Sequence, residues 1–277
     1  MKQCLLLLSA CLLAGCGARP SGTGGPRQRV VTFSPALTQL VFDMGLGHHV
    51  VGVTSYCRLP PGEARPAVGN QLNVRVEPIL GVRPDLILTQ TAPRHFEPIQ
   101  RAARSIRVET IRIETLADIA AAMRRIGELT GESERGREAA RAFTARLERL
   151  GERTRGLAKR RVLFVMGYEN PASCGSGTFI HDMIGLAGGV NVMGDARGWL
   201  GPDAETLVVA APEVVVCQCK AWQQESAARY WTRMLTRPGG PPVRTVTVAD
   251  ERWTIPGTHL GALAETMADM VHPEAKS

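Results

Sequence analysis

Residues 116–157 read LADIAAAMRRIGELTGESERGREAARAFTARLERLGERTRGL, and the fold turns on that stretch. Leu116, Ile119, Met123, Ile126 and Leu129 recur at helical spacing, and after an interruption at Gly131–Ser133 the residues Ala140, Phe143, Leu147 and Leu150 resume the period. That is an apolar helical stripe, twice over. Arg124, Arg125, Glu128, Arg137, Glu138, Arg141, Arg146 and Glu148 fall between the stripes with mixed sign and fit a solvated outer face. Without the Gly, Ser and Pro enrichment of a flexible linker, the stretch reads as a stiff connector, one long helix or a broken pair. Two lobes on such a spine leave a cleft between them.

The flanks repeat one another. Before the spine come a β-branched strand at 29–33, a helix opened by Ser34-Pro35 as cap and first turn, a strand at 50–53, and the loop Thr54-Ser55-Tyr56-Cys57 closed by Pro60-Pro61. A short helix at 73–82 carries Glu77; a strand at 86–88, a helix at 96–104 and a strand at 107–110 follow. After the spine come a strand at 161–166, a loop at 167–177, a helix at 179–187 and the Gly188-Gly189-Val190-Asn191 turn. A helix at 202–210 carries Glu205, and a strand at 213–216 runs into Cys217-Gln218-Cys219. A helix through Tyr230–Leu235, a strand at 245–248, a loop at 250–257 and a last helix from His259 complete the pattern. Alternating strands and helices predict an α/β chain with parallel sheets, whose ligand loops lie at the strands' C-terminal ends.

The first residues speak to compartment. Lys2, the apolar run Leu5–Leu13 and small residues before Cys16 form a signal peptide, too short to span a membrane. Leu13-Ala14-Gly15-Cys16 resembles the lipobox of bacterial lipoproteins, which implies a lipid on Cys16 and a membrane-anchored protein in the periplasm or on the outer cell surface. Gly17 leaves open which membrane holds it. The expected division is a signal segment at 1–16, a tether at 17–28, an N-terminal lobe at 29–114, the spine at 115–157 and a C-terminal lobe at 158–277. Outside the cytoplasm the remaining thiols, Cys57, Cys174, Cys217 and Cys219, are expected in disulfides. Cys217 and Cys219 are too close for an easy bridge to each other, so Cys57 or Cys174 is the expected partner; free thiols and soft-metal or haem-iron ligation are the alternatives.

Arg29-Val30-Val31-Thr32-Phe33-Ser34-Pro35 with Thr38, Gly52–Cys57, Glu77-Pro78-Ile79-Leu80 and Arg83-Pro84-Asp85-Leu86-Ile87 resemble the helical-backbone class of substrate-binding proteins of ABC importers for cobalamin, ferric siderophores and haem. Arg161–Phe164, Asn170-Pro171, Gly188–Asn191 and Ala211–Val216 continue the likeness, which covers 29–272 and is nearest to the cobalamin-binding branch. The resemblance implies two α/β lobes on a helical spine with the ligand between them, and capture of cobalamin or a related corrinoid; the alternatives are haem, a ferric siderophore or another metal chelate. It implies that Glu77 and Glu205 dock onto arginines of the permease subunits, and that Pro35, Tyr56, Trp199 and Trp253 line or close the cleft. Gln71, Gln90 and Ser173 stand at ligand positions where cobalamin binders carry aromatics, and Trp253 where an arginine is expected.

No enzyme is expected: no nucleophile motif, phosphate loop or paired catalytic acid appears, and Gly175-Ser176-Gly177 is a plain Gly-rich turn. The formal charge of +7 is scattered, giving no nucleic-acid footprint. His48 and His49 follow a helix end, where they suit the dipole, and His95, His181, His259 and His272 lack metal-ligand spacing. No cofactor and no resident metal is expected, and the chain is expected to be a monomer partnered by its permease.

Overall fold

The computed structural model describes residues 28–70 and 73–275; the readings of the signal segment, Cys16 and Gln71 lie outside them. The N-terminal half runs β1 (Val30–Phe33), α1 (Pro35–Asp43), β2 (Val50–Val53), a small ribbon of β3 (Gly69–Asn70) and β4 (Asn73–Val74), α2 (Val76–Gly81), β5 (Leu86–Thr89), α3 (Glu97–Ala102) and β6 (Arg107–Thr110). Its main sheet has the order β2-β1-β5-β6, every pair parallel. The helix expected at 73–82 is shorter than its reading, because Asn73 and Val74 are spent on the ribbon.

The spine is two helices, α4 (Leu116–Thr130) and α5 (Ser133–Thr154). A reciprocal cap between Thr115 and Asp118 starts α4, and Gly131 ends it in the left-handed region at φ 77°, which a residue without Cβ reaches at no steric cost. The chain then folds back, so that Leu116 lies beside Leu147 and Glu148. At the turn the helices touch backbone to backbone: a Cβ on Gly136 would sit 2.6 Å from the Met123 carbonyl oxygen, and one on Gly127 2.9 Å from the Gly136 Cα. The 22 residues of α5 extend about 33 Å.

The C-terminal half runs β7 (Arg160–Met166), β8 (Ala172–Cys174), α6 (Phe179–Leu186), β9 (Gly189–Asn191), β10 (Trp199–Leu200), α7 (Ala204–Ala210), β11 (Val214–Gln218), α8 (Gln224–Leu235), β12 (Arg244–Val248) and α9 (Leu260–Val271). Its sheet order is β10-β8-β7-β11-β12, with β9 also on β7. β7, β9, β11 and β12 pair parallel, as expected for an α/β lobe, while β8 and β10 add an antiparallel edge. That edge occupies part of the stretch read as a loop.

Alternation along the central strands sorts the core. Val30, Leu86 and Leu88 of the first sheet, and Val162, Phe164, Val214 and Val216 of the second, face a single apolar core that also takes in the buried stripes of α4 and α5 and the inner face of α9. Val31, Phe33 and Ile87 face a separate outer core. Leu163, Val165, Val215 and Cys217 face another, against α8. Two charged contacts strap α9 to the spine: Arg146 grips Glu265 with both nitrogens, at 2.8 and 2.6 Å, and Arg153 reaches Asp269 at 3.2 Å. No helix among the described residues is long and apolar enough to cross a membrane.

Candidate functional site

Parallel strands deliver their following loops to one end of each sheet, and the loops carry the polar and aromatic groups. After β1, Ser34 caps α1 and its hydroxyl donates to Gln90 Oε1 at the end of β5, so Pro35 and Gln90 lie side by side, half-buried. After β2, the turn through Tyr56 is held by Thr54 and Cys57, whose sulfur also meets Thr38 Oγ1 at 3.0 Å. Tyr56 itself is 63% exposed.

Across from these loops are the strand ends of the second sheet. Arg58, just past Tyr56, reaches Glu251 Oε2 at 2.5 Å in the short 3-10 turn Glu251–Thr254 that follows β12. Lys220, after β11, holds Glu251 Oε1 at 2.8 Å. The hydrogen bond from Lys220, then the charge of Arg58, keep the Glu251 carboxyl below its ordinary value, so it is anionic at neutral pH. Nearer the spine, the Thr258 hydroxyl donates to the Asp43 carboxylate at the end of α1. The C-terminal strand ends of the two sheets therefore face each other, joined across the gap by ionic and polar contacts.

Two further aromatics stand open on the second lobe. Trp199, on β10, is 42% exposed and meets the edge of Phe179 with 5.7 Å between ring centroids. Trp222, directly after β11, is 79% exposed and was not among the candidates read from the sequence. The available signal was its place: three residues past Cys219, in the class of loop that the topology sends to this edge.

Three sequence readings are corrected. Trp253 is 2% exposed and stacks on Phe164 with 6.3 Å between centroids, so its indole belongs to the core and is not an open wall for a ligand. Ser173 is fully buried and donates to the Phe164 carbonyl at 2.7 Å, which spends its hydroxyl on joining β8 to β7. The four cysteines are free thiols. Cys174 faces the central core, whereas Cys217 and Cys219 face the outer core on the other side of the sheet, so neither of those sulfurs meets it. Burial pushes the Cys174 and Cys217 thiols up to about 12, keeping them protonated and poor as nucleophiles or metal ligands.

Glu77 and Glu205 occupy matching places, each in the first turn of a short helix, α2 and α7, and each exposed. Asp203 caps α7, accepting from the Thr206 amide at 2.8 Å. Among the described residues no ion pair engages either glutamate. Beside Glu205 the helix exposes Val209, giving the carboxylate an apolar neighbour.

Comparison with known proteins bears on this arrangement. The family model described as periplasmic binding protein matches residues 30–230. The vitamin B12-binding protein of Salmonella typhimurium is 27% identical over 213 residues, covering 76% of this chain and 79% of that protein. Among solved structures, the periplasmic vitamin B12 binding protein of Vibrio cholerae has a TM-score of 0.74 at 20% identity, over 91% of this chain and 99% of that one. The periplasmic heme binding protein of the same organism has a TM-score of 0.76 at 18% identity, over 89% and 99%. At those identities the two structures bear on the fold alone.

Proposed function

The chain belongs to the periplasmic binding protein family, carriers that hold a substrate without transforming it, and from that premise we propose that it captures cobalamin or a related corrinoid between its lobes and delivers it to an ABC importer. The observation that carries this reading is the set of open aromatics, Tyr56 on one lobe with Trp199 and Trp222 on the other, around strand ends that already face each other through Arg58 and Glu251. Flat, rigid side chains cover a large planar macrocycle while freezing few torsions. The vitamin B12-binding relative supports the same choice.

Glu77 and Glu205 are the docking points for the permease in this reading. A carboxylate on each lobe, with no ion pair among the described residues, can accept an arginine from each permease subunit, and two such contacts would fix the carrier over the pore. Lipidation at Cys16 would hold the carrier to the membrane and raise its concentration near the importer.

Calorimetric titration of residues 20–277 with cyanocobalamin, with haem and a ferric siderophore as controls, tests the ligand. One-to-one binding at submicromolar concentration to the corrinoid alone is expected. One observation favours haem as the second reading: the exposed Tyr56 phenol is a chemically competent axial ligand for ferric iron. Haem binding with a new absorbance band that Tyr56→Phe removes would replace the corrinoid assignment.

The bridge across the mouth makes its own prediction. Arg58 is 78% exposed and Glu251 39%, so the pair contributes less than about 1 kcal/mol to stability. Glu251→Ala should therefore barely move the melting temperature while speeding ligand dissociation several-fold in stopped-flow. An unchanged off-rate would show that the bridge does not retain the ligand.

A further inference from the structure

At the end of the first lobe remote from the mouth, a 3-10 turn, Gly47–His49, sets two adjacent imidazoles beside the junction of the spine helices. Ligand atoms of His48, His49 and Glu132 all lie within 4.8 Å of one another. His49 is 5% exposed, and its Nδ1 lies 2.9 Å from the Gln28 carbonyl oxygen. A carbonyl only accepts, so Nδ1 carries the hydrogen, which leaves Nε2 as the ring nitrogen that can offer a lone pair on the other side. Nε2 is buried without a hydrogen-bond partner, and faces Glu132 Oε1 at 4.0 Å. An imidazole nitrogen and a carboxylate oxygen thus point at one gap, too wide for a hydrogen bond between them.

A cation reconciles them. Two metal–ligand bonds of about 2.0–2.2 Å span such a gap, and a slight closing of Glu132 brings the pair to tetrahedral geometry. Glu132 has the freedom to do so, being 35% exposed in the short link between α4 and α5. His48 is exposed on the rim, and one of its ring nitrogens, Nδ1, lies 3.3 Å from the Gly45 carbonyl. Backbone carbonyls on the far nitrogens are the usual outer support of metal-bound histidines.

Among the described residues, the positive groups nearby do not fill the gap. Arg135 engages the other carboxylate oxygen of Glu132 at 3.4 Å, and Arg65 is spent on the carbonyls of Gly47 and Val50. Two imidazoles with one carboxylate suit zinc and its first-row neighbours, and magnesium or calcium poorly.

We propose that His48, His49 and Glu132 form a binding site for a divalent transition cation, zinc foremost, with a solvent-facing fourth position. The ion clamps the turn after α1, and so the first lobe, to the junction of α4 and α5. The site lies outside the ligand mouth and owes nothing to the choice of carried substrate.

The test is titration of zinc chloride into the full chain, untagged and stripped with EDTA, followed by calorimetry and by the melting temperature. One zinc ion per chain is expected, with a rise in melting temperature. His48→Asn and Glu132→Gln, both at accessible positions, should each weaken binding at least about tenfold without changing the melting temperature of the stripped protein. Cobalt(II) should give d–d absorption bands of a four-coordinate site that both variants lose. Absence of zinc binding would overturn the proposal. Binding that both variants leave unchanged would also overturn it, placing the ion elsewhere on the chain.

Discussion

Replacing both Glu77 and Glu205 by lysine is expected to abolish corrinoid uptake in cells while leaving the affinity of the purified carrier for its ligand intact. The reason is their position: both carboxylates are exposed in the first turns of α2 and α7, and among the described residues neither has an ion pair to lose, so reversal costs the fold only the small helix-dipole preference for an acid there. Loss of one partner from a close charge pair at an interface costs roughly 2–5 kcal/mol, and reversal adds repulsion to that loss. Two such losses at the proposed contacts would weaken docking by about a thousandfold or more. Each single variant should fall between, because one lobe still engages. Uptake of labelled cobalamin alongside calorimetry on the same variants separates the outcomes. A drop in ligand affinity would move these glutamates from the docking surface to the binding site.

The second large effect lies inside the spine. Helix propensity alone says that Gly136→Ala should stabilise α5 by about 1 kcal/mol. Contact says the opposite, since the added carbon would meet the Met123 carbonyl oxygen at 2.6 Å and the Gly127 Cα at 3.0 Å, both backbone atoms that move only if the helices part. Overpacking of that kind costs about 1–3 kcal/mol or more and should win. Gly136→Val should exceed it and lower the melting temperature by roughly 10 °C for a chain of this size. Gly151, in the same helix, is the control: a carbon there would meet only Leu186 Cδ2 at 3.5 Å, an ordinary contact, so Gly151→Ala should be neutral or slightly stabilising. If both alanine variants melt alike, the close crossing of α4 and α5 is wrong.

Much of this architecture was legible because it is periodic. The stripes Leu116–Leu129 and Ala140–Leu150 announce helices through spacing that few other structures satisfy, and Ser34-Pro35 marks the start of α1 by capping chemistry. What stayed hidden lacks a period. β8 and β10 are three and two residues long, too short for alternation to register, so the stretch around them reads as loop. A lone tryptophan carries no signal for inside or outside: Trp253 and Trp222 look alike in sequence, yet one stacks on Phe164 and the other stands in solvent. The cysteines show the same limit. That Cys217 and Cys219 share a face follows from their spacing, but that Cys174 lies on the opposite face depends on how β8 joins β7, which only the assembled sheet decides.

The unbroken core that joins the inner faces of both sheets to α4, α5 and α9 has a mechanical consequence. A pair of lobes on a bare linker swings freely and closes on its cargo like a trap. Here, parting the lobes means dragging Trp253, Leu260 and the stripe of α5 against packed neighbours, so displacement meets a restoring force from the first ångström. The two lobes therefore behave as a stiff spring, and shifting one against the other takes work from outside the molecule. On the proposed docking, such work would enter through the two helices that bear Glu77 and Glu205.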